Sequence, residues 1–291
     1  MAKPKKRTDT RAIGLDIGLA FSKFLTGKEN LHYGLWDPAW NVCAENIGRA
    51  QEAYTEKLFR LLPKRKNLRI LDIGGGAGET AKKLVAMGHH VDIVIPSPFL
   101  AQRCRENAGP TATVHECLFE DFQSGKTFDI CLFSESFQYI PLTESLPKAQ
   151  ALLAPDGAII IADCFRTPAF FAATDEGAKV GGGHALSDFH AAIASHPLTV
   201  VSLEDITTAV APSVDVEQEL FNVIGHAITR IDTGIAASHP LMRGTLRQMV
   251  KLLFSKRRRA RIDQRLNEKV RSSENFCRYN TYVMVKLTVS G

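Results

Sequence analysis

The chain's 291 residues suffice for one large domain or one domain with a cap. Its composition, 45% hydrophobic and 23% charged, is that of an ordinary soluble globular protein. No apolar run reaches the length of a membrane-spanning helix. The basic start MAKPKKRTDTR leads into no signal-type stretch, so a cytoplasmic location is expected. The net charge of +5 is unevenly spread: residues 243–271 hold eleven Lys or Arg against two acids, and residues 1–11 hold five against one. Local basicity of this kind meets anionic surfaces. The six cysteines form no CxxC pair or metal-like cluster, which fits a reducing compartment, core packing and no metal.

In chain order, residues 1–11 read as a disordered basic tail. Residues 12–62 hold two helices flanking the turn-rich HYGLWDPAW (32–40). The second, about 44–62, places Ala50, Ala53, Tyr54, Leu58 and Leu61 near helical spacing. GLDIG (14–18) looks like a phosphate-binding turn but lacks flanking strands, and reads as part of a helix or turn. From 68 onward, short apolar runs alternate with helical patterns: strands at 68–73, 91–95, 113–117, 128–133 and 158–163, helices at 79–87, 98–107 and 143–153. Continuous apolar strands alternating with helices argue for a parallel sheet covered on both faces. Next come a glycine-rich turn, GGGHALS (181–187), with Ser187 capping a helix, a sixth strand at 198–203 and a helical stretch over 214–274. A final strand is expected at 279–289, in YNTYVMVKLTV.

The central chemical signal is LRILDIGGGAGET (68–80). A strand ends at Asp72, and Gly74, Gly76 and Gly78 follow in GxGxG spacing before a helix. Glycines permit a tight turn and close backbone approach to a ligand, and the helix start offers free N–H groups. Glu79, next in line, repels a pyrophosphate placed on that helix start. Asp72 is suited instead to a cationic amino group, the alternative being a cap on the following turn.

With these residues the chain resembles the class I S-adenosylmethionine-dependent methyltransferases, over residues 30–165 plus a final strand. HYGLW (32–36), FDICLFSESFQYI (128–140) and LLAPDGAIIIADCF (152–165) are similar to segments of the natural-product and lipid members. The resemblance implies S-adenosylmethionine as cofactor. It implies that Asp72, Gly74, Gly76 and Gly78 bind the cofactor's amino-acid end, and that Ser134, Glu135 and Ser136 line the cofactor and substrate pocket. It also marks two departures. The acid that accepts from the ribose hydroxyls falls at Ile95, with Asp92 nearby on the opposite strand face, and Ser97 or backbone groups are left to compensate. The acid that meets the adenine amine falls at Leu118, with Glu120 or Asp121 as substitutes. The expected fold is α/β: a Rossmann-like, seven-stranded, mostly parallel sheet with one antiparallel strand near the edge, helices on both faces and a helical cap.

The expected division is a tail (1–11), an N-terminal cap segment (12–62), a cofactor-binding domain (63–206), a helical insertion with a basic helix (207–275) and a final strand (276–291). Tyr33, Trp36, Gln138 and Tyr139 are expected in the substrate pocket. Tyr139, His184 and Tyr33 are the catalytic candidates, with His32 and His190 also of interest, because histidine titrates near neutrality. Residues 249–271 place apolar residues beside dense Lys and Arg. That segment reads as a solvated face or a peripheral contact with an anionic membrane, and nucleic acid is disfavoured. The activity expected is methyl transfer to a small hydrophobic or lipid-like acceptor. The alternatives are a non-methyl transfer from the same cofactor, or a non-catalytic binding module.

Overall fold

The computed structural model describes residues 10–174 and 179–290. Most of the expected basic tail, residues 1–9, lies outside the described residues. Its inner boundary is corrected, because helix α1 (Thr10–Thr26) already includes Thr10 and Arg11. GLDIG sits within α1, and an irregular segment then leads to α2 (Ile47–Phe59).

Strand and helix next alternate as the apolar runs dictate: β1 (Arg69–Ile73), α3 (Glu79–Ala86), β2 (His90–Val94), α4 (Pro98–Ala108), β3 (Thr113–His115), β4 (Phe128–Ser134), α5 (Leu142–Ala151) and β5 (Leu153–Arg166). The short α6 (Pro168–Ala172) and α7 (Leu186–Ala194) precede β6 (Leu198–Asp205). Helices α8 (Thr207–Val210), α9 (Pro212–Ser238), α10 (Pro240–Leu253), α11 (Lys256–Asn267) and α12 (Ser273–Tyr279) then lead into β7 (Asn280–Val289).

The seven strands form one sheet in the order β3-β2-β1-β4-β5-β7-β6. β1 pairs in parallel with β2 and β4, and β7 runs antiparallel between β5 and β6. Because side chains alternate along a strand, Ile70 faces the layer of Tyr54, Leu84 and Leu100, while Leu71 and Ile73 face that of Leu146, Ala149 and Phe189. Both sheet faces are thus roofed by helices, α2, α3 and α4 on one and α5 and α7 on the other. That covering explains why the central strands β1, β4 and β5 are largely apolar and buried.

The sheet order reverses at β1, between β2 and β4. In a doubly wound sheet the crevice at the carboxyl ends of such strands is where ligands bind. The pairing Asp205↔Val283 and Asp163↔Val283 shows that β6 ends, and β7 begins, at that same edge. Helices α8–α12 therefore leave and re-enter the sheet on the crevice side. Gly225 lets α9 approach α11 closely, since a Cβ there would lie 2.3 Å from the Leu266 carbonyl oxygen.

Two local expectations are corrected. Ser187 does not cap α7: Ala185 stands at the cap position and the Ser187 hydroxyl turns to the Asp188 carboxylate at 3.3 Å. The final strand does not begin at 276 or 279. Residues 273–279 form α12, started by Ser272, whose Oγ accepts from the Asn275 N–H at 3.2 Å.

Candidate functional site

A cavity of about 560 Å³ opens at the carboxyl ends of β1, β2 and β4. Its floor is the loop after β1. Gly74, Gly76 and Gly78 all have positive φ there, a conformation glycine adopts without steric penalty. Gly74 and Gly76 line the cavity. Gly78 does not: it lets α3 pack on α4, since a Cβ on it would lie 2.9 Å from the Cys104 Cα. A Cβ on Gly74 would lie 2.3 Å from the Cβ of Ser136, so the loop and the end of β4 are in direct contact. The Ser136 hydroxyl donates to the Ile73 carbonyl and closes that seam.

Asp72 lies at the base of the cavity, 1% exposed. Its Oδ2 is buried with no hydrogen-bond partner among the described residues. Burial pushes its carboxyl up to about 7. Asn30, also buried and lining the cavity, leaves its Nδ2 without a partner among the described residues. An unsatisfied buried acceptor and donor are each costly. Together they fit a ligand that brings a cation and an anion.

The segment carrying Asn30 is strapped across the domain by Glu29. Burial pushes the Glu29 carboxyl up, but bonds from Arg103, Asn107 and Lys23 outweigh that and hold it at about 2. The Glu29 N–H donates to Glu79 Oε1 at 3.3 Å. His32 also lines the cavity. Its ring stacks on Tyr54 at 4.6 Å, its Nδ1 donates to the Tyr33 carbonyl at 2.8 Å, and burial lowers it to about 4. It is a neutral imidazole across the physiological range.

Glu135 follows β4 at φ 55° and lines the cavity. Its Oε1 accepts the Tyr33 N–H at 2.8 Å and the Tyr282 O–H at 3.0 Å. Tyr282 meets the Tyr54 hydroxyl at 2.8 Å, and Tyr54 meets Ser134 Oγ at 3.1 Å. Burial pushes the Glu135 carboxyl up to about 8, against the pull of its two donors.

The opposite wall is apolar. Ile95, Leu100, Leu118 and Phe119 line it, together with Ser97 and Glu120. Asp92 faces away from the cavity and pairs with His115 at 2.7 Å. Ser97 Oγ also accepts from the Leu100 N–H at 3.4 Å, capping α4.

Several expected site residues lie elsewhere. Asp121 is in the turn after Glu120, outside the cavity lining. Trp36 is buried against Ala50 and Val216, its Nε1 donating to Ser213 Oγ at 2.9 Å, so it ties α2 to α9. The Tyr33 ring packs edge-on against Phe276 at 5.9 Å, and only its backbone N–H reaches Glu135. Gln138 is engaged by Asp163, through its backbone N–H and its side-chain amide at 3.0 Å each. His184 Nε2 faces the carbonyls of Ile140 at 2.9 Å and Phe137 at 3.3 Å, so it donates to hold a turn, and the residue does not line the cavity. Tyr139 is the catalytic candidate that does line the cavity. Asn30, Tyr54 and Tyr282 were missed. Tyr54 and Tyr282 read only as helix and strand residues, and Asn30 sits in no pattern.

The family profile described as "Methyltransferase domain" matches residues 70–157, the stretch from β1 into β5 that builds the cavity floor. The chain carries a methyltransferase domain of the class I S-adenosylmethionine-dependent type. The methyltransferase is 25% identical over 203 residues to 27-O-demethylrifamycin SV methyltransferase of Amycolatopsis mediterranei, covering 64% of this chain and 72% of that one. It is 31% identical over 125 residues to ubiquinone biosynthesis O-methyltransferase of Azorhizobium caulinodans, covering 41% and 49%. Its fold matches that of geranyl diphosphate C-methyltransferase from Streptomyces coelicolor, solved with Mg²⁺, geranyl-S-thiolodiphosphate and S-adenosyl-L-homocysteine. The TM-score is 0.64 at 15% identity, over 94% of this chain and 92% of that one. S-adenosylmethionine is the methyltransferase's cofactor, and the paired unsatisfied groups of Asp72 and Asn30 suit its zwitterionic end.

Proposed function

We propose that the methyltransferase methylates a small hydrophobic or lipid-like acceptor. The observation that carries this reading is the cavity itself. One wall is charged and hydrogen-bonding, and the rest is lined by Leu15, Leu31, Leu118, Tyr139 and Ile140. In this reading Asp72 and Asn30 hold the cofactor's ammonium and carboxylate, and the backbone at Gly74 and Gly76 lets that end approach closely. Ile95, Leu118 and Phe119 enclose the adenosine by shape, with Ser97 and Glu120 as its polar contacts. The cofactor supplies an electrophilic methyl carbon on a sulfonium. The protein's part is to align an acceptor with it and keep water out, and alignment alone accounts for much of the rate in such transfers. The names of the relatives fit a small-molecule acceptor with a substantial hydrocarbon part: 27-O-demethylrifamycin SV, a step of ubiquinone biosynthesis and geranyl diphosphate.

In the same reading, residues 63–206 with the final strand form the cofactor domain, and residues 12–62 and 207–275 form the cap. The cap carries the partner surface. Leu241, Leu252 and Leu253 of α10 are 87%, 86% and 71% exposed, far more than apolar side chains of this size need be. Lys251, Lys256, Arg257 and Arg261 flank them, and Arg243 and Arg247 bind Asp232 to hold α10 against α9. Apolar residues projecting from a basic helix pair fit an anionic bilayer surface, entered through residues 249–271.

The test is incubation of the protein with methyl-labelled S-adenosylmethionine and a total lipid extract presented in phosphatidylglycerol vesicles. Label is expected in the organic phase, with S-adenosylhomocysteine as co-product and the protein floating with these vesicles but not with phosphatidylcholine ones. Methylthioadenosine as the co-product would indicate a different transfer from the same cofactor. Label confined to protein or RNA would refute the small-molecule reading.

A further inference from the structure

Resting on that reading, we propose that Glu135 is the proton acceptor of this site and that the acceptor carries a hydroxyl or similar protic group. Both bonds to the Glu135 carboxylate, from the Tyr33 N–H and the Tyr282 O–H, end on Oε1. Among the described residues no hydrogen bond reaches Oε2, although the residue lines the cavity. One oxygen is thus saturated and fixed, while the other is left to the cavity's contents.

The hydroxyls behind it have a direction. A carboxylate can only accept, so Tyr282 spends its single proton on Glu135. Tyr282 must then accept from Tyr54, and Tyr54 must accept from Ser134. The chain Ser134–Tyr54–Tyr282 therefore points its dipoles at Oε1 and stabilises negative charge there, each bond polarising the next. None of these hydroxyls needs to move for the carboxylate to gain a proton at Oε2.

Two neighbours set the balance against it. Asp163 on β5 and Glu217 on α9 both repel charge on Glu135, and burial repels it more strongly. Such a carboxylate is ionised most readily when a cation shares the cavity, which the cofactor's sulfonium provides. The other cavity groups that could take a proton are less suitable. His32 directs its Nε2 to Thr55 Oγ1 at 3.5 Å and is held neutral by burial, and Asp72 lies at the floor among the glycines. Glu29 is held by Arg103, Asn107 and Lys23, Glu79 accepts the Glu29 N–H, and Glu120 stands beside Leu118 and Phe119 on the other wall.

The step balances. The acceptor's O–H bond breaks and its proton passes to Glu135 Oε2. The oxygen keeps that electron pair and uses another lone pair on the methyl carbon, while the carbon–sulfur pair leaves on sulfur. A carboxylate and a sulfonium become a carboxylic acid and a thioether, so a charge pair disappears from a site that disfavours charge.

The test needs no acceptor. Sinefungin carries an amine in place of the cofactor's transferable methyl, on a carbon that replaces the sulfur, and S-adenosylhomocysteine keeps the sulfur as a neutral thioether with no group there. A protonated amine facing Oε2 gains a charge-assisted bond, so the wild type is expected to bind sinefungin about 10- to 100-fold more tightly by calorimetry. Glu135→Gln keeps an oxygen for both Oε1 donors and turns an NH₂ to the cavity. It is expected to bring the ratio of the two affinities close to one while S-adenosylhomocysteine affinity stays within about threefold. Equal wild-type affinities for the two ligands, or a preference that survives in Glu135→Gln, overturn the proposal. Loss of S-adenosylhomocysteine binding in a folded Glu135→Gln variant also overturns it, because Glu135 then anchors the cofactor. If the variant does not fold, the wild-type ratio decides. A wild type that binds neither ligand removes the cofactor assignment beneath it.

Discussion

The two long walls of the cavity are built on opposite principles. On the side of β1 and β4, Asp72, Asn30 and Glu135 put buried polar atoms around the glycine loop, two of them with no partner among the described residues. On the side of β2 and β3, Ile95, Leu100, Leu118 and Phe119 offer apolar surface, and the nearest acid of β2 is turned away onto His115. The contrast assigns different work to each wall. Unsatisfied buried groups are costly until a ligand completes them, so in the proposed reading the first wall supplies directional, charge-specific binding. Apolar surface is released from water by any flat, weakly polar group that covers it, so in the proposed reading the second supplies affinity with little selectivity.

Three experiments probe that contrast. The largest effect is expected from Asp72→Ala, which removes the acid at the foot of the polar wall. S-adenosylhomocysteine affinity measured by calorimetry should fall at least about 100-fold. A fall of only a few-fold would show that the apolar wall carries most of the binding. A smaller effect, of opposite sign, is expected from Ile95→Asp, which places a carboxylate where the family resemblance implies a ribose-binding acid. Affinity should rise about tenfold, while the melting temperature of the ligand-free protein falls, because a charge replaces a side chain only 5% exposed.

The smallest effect is in pH dependence. Burial raises Asp72 and Asp163 to about 7 and Glu135 to about 8. The folded chain therefore keeps protons that the unfolded chain releases near pH 4. The stability this provides is present in acid and is lost as pH rises through 7 to 8. His32, lowered to about 4, acts in the other direction, but only below about pH 6.5. Between pH 6.5 and 8 the carboxyls dominate, so the melting temperature of the ligand-free protein should drop by a few degrees. Saturating S-adenosylhomocysteine, with its ammonium at Asp72, should flatten that drop. A melting temperature that rises over the same window would count against buried protonated carboxyls on the polar wall.

Much of this was legible in the linear chain. The glycine loop, Asp72 and the strand–helix rhythm stand in contiguous patterns whose physics is local: a positive φ, a turn, an apolar run. Ser134, Glu135 and Ser136 follow a strand that the pattern located. The aromatic assignments were less successful. Tyr33 and Trp36 stand in a conspicuous segment, yet one side chain packs on Phe276 and the other joins α2 to α9. His184, beside three glycines, holds two carbonyls. A side chain's chemistry depends on what it packs against, and no spacing rule states that.

By itself, then, the sequence determined the doubly wound sheet, its crevice and the loop that opens onto it, because backbone geometry and burial of apolar runs act over a few residues. The tertiary structure decided which polar groups are left unpaired in that crevice and which are used up. Tyr54 and Tyr282 are 228 positions apart and meet through their hydroxyls only because α2 packs on the sheet face to which β7 turns Tyr282. The polarity they impose on Glu135 is a property of that packing, where a low dielectric makes each bond, and each missing one, count.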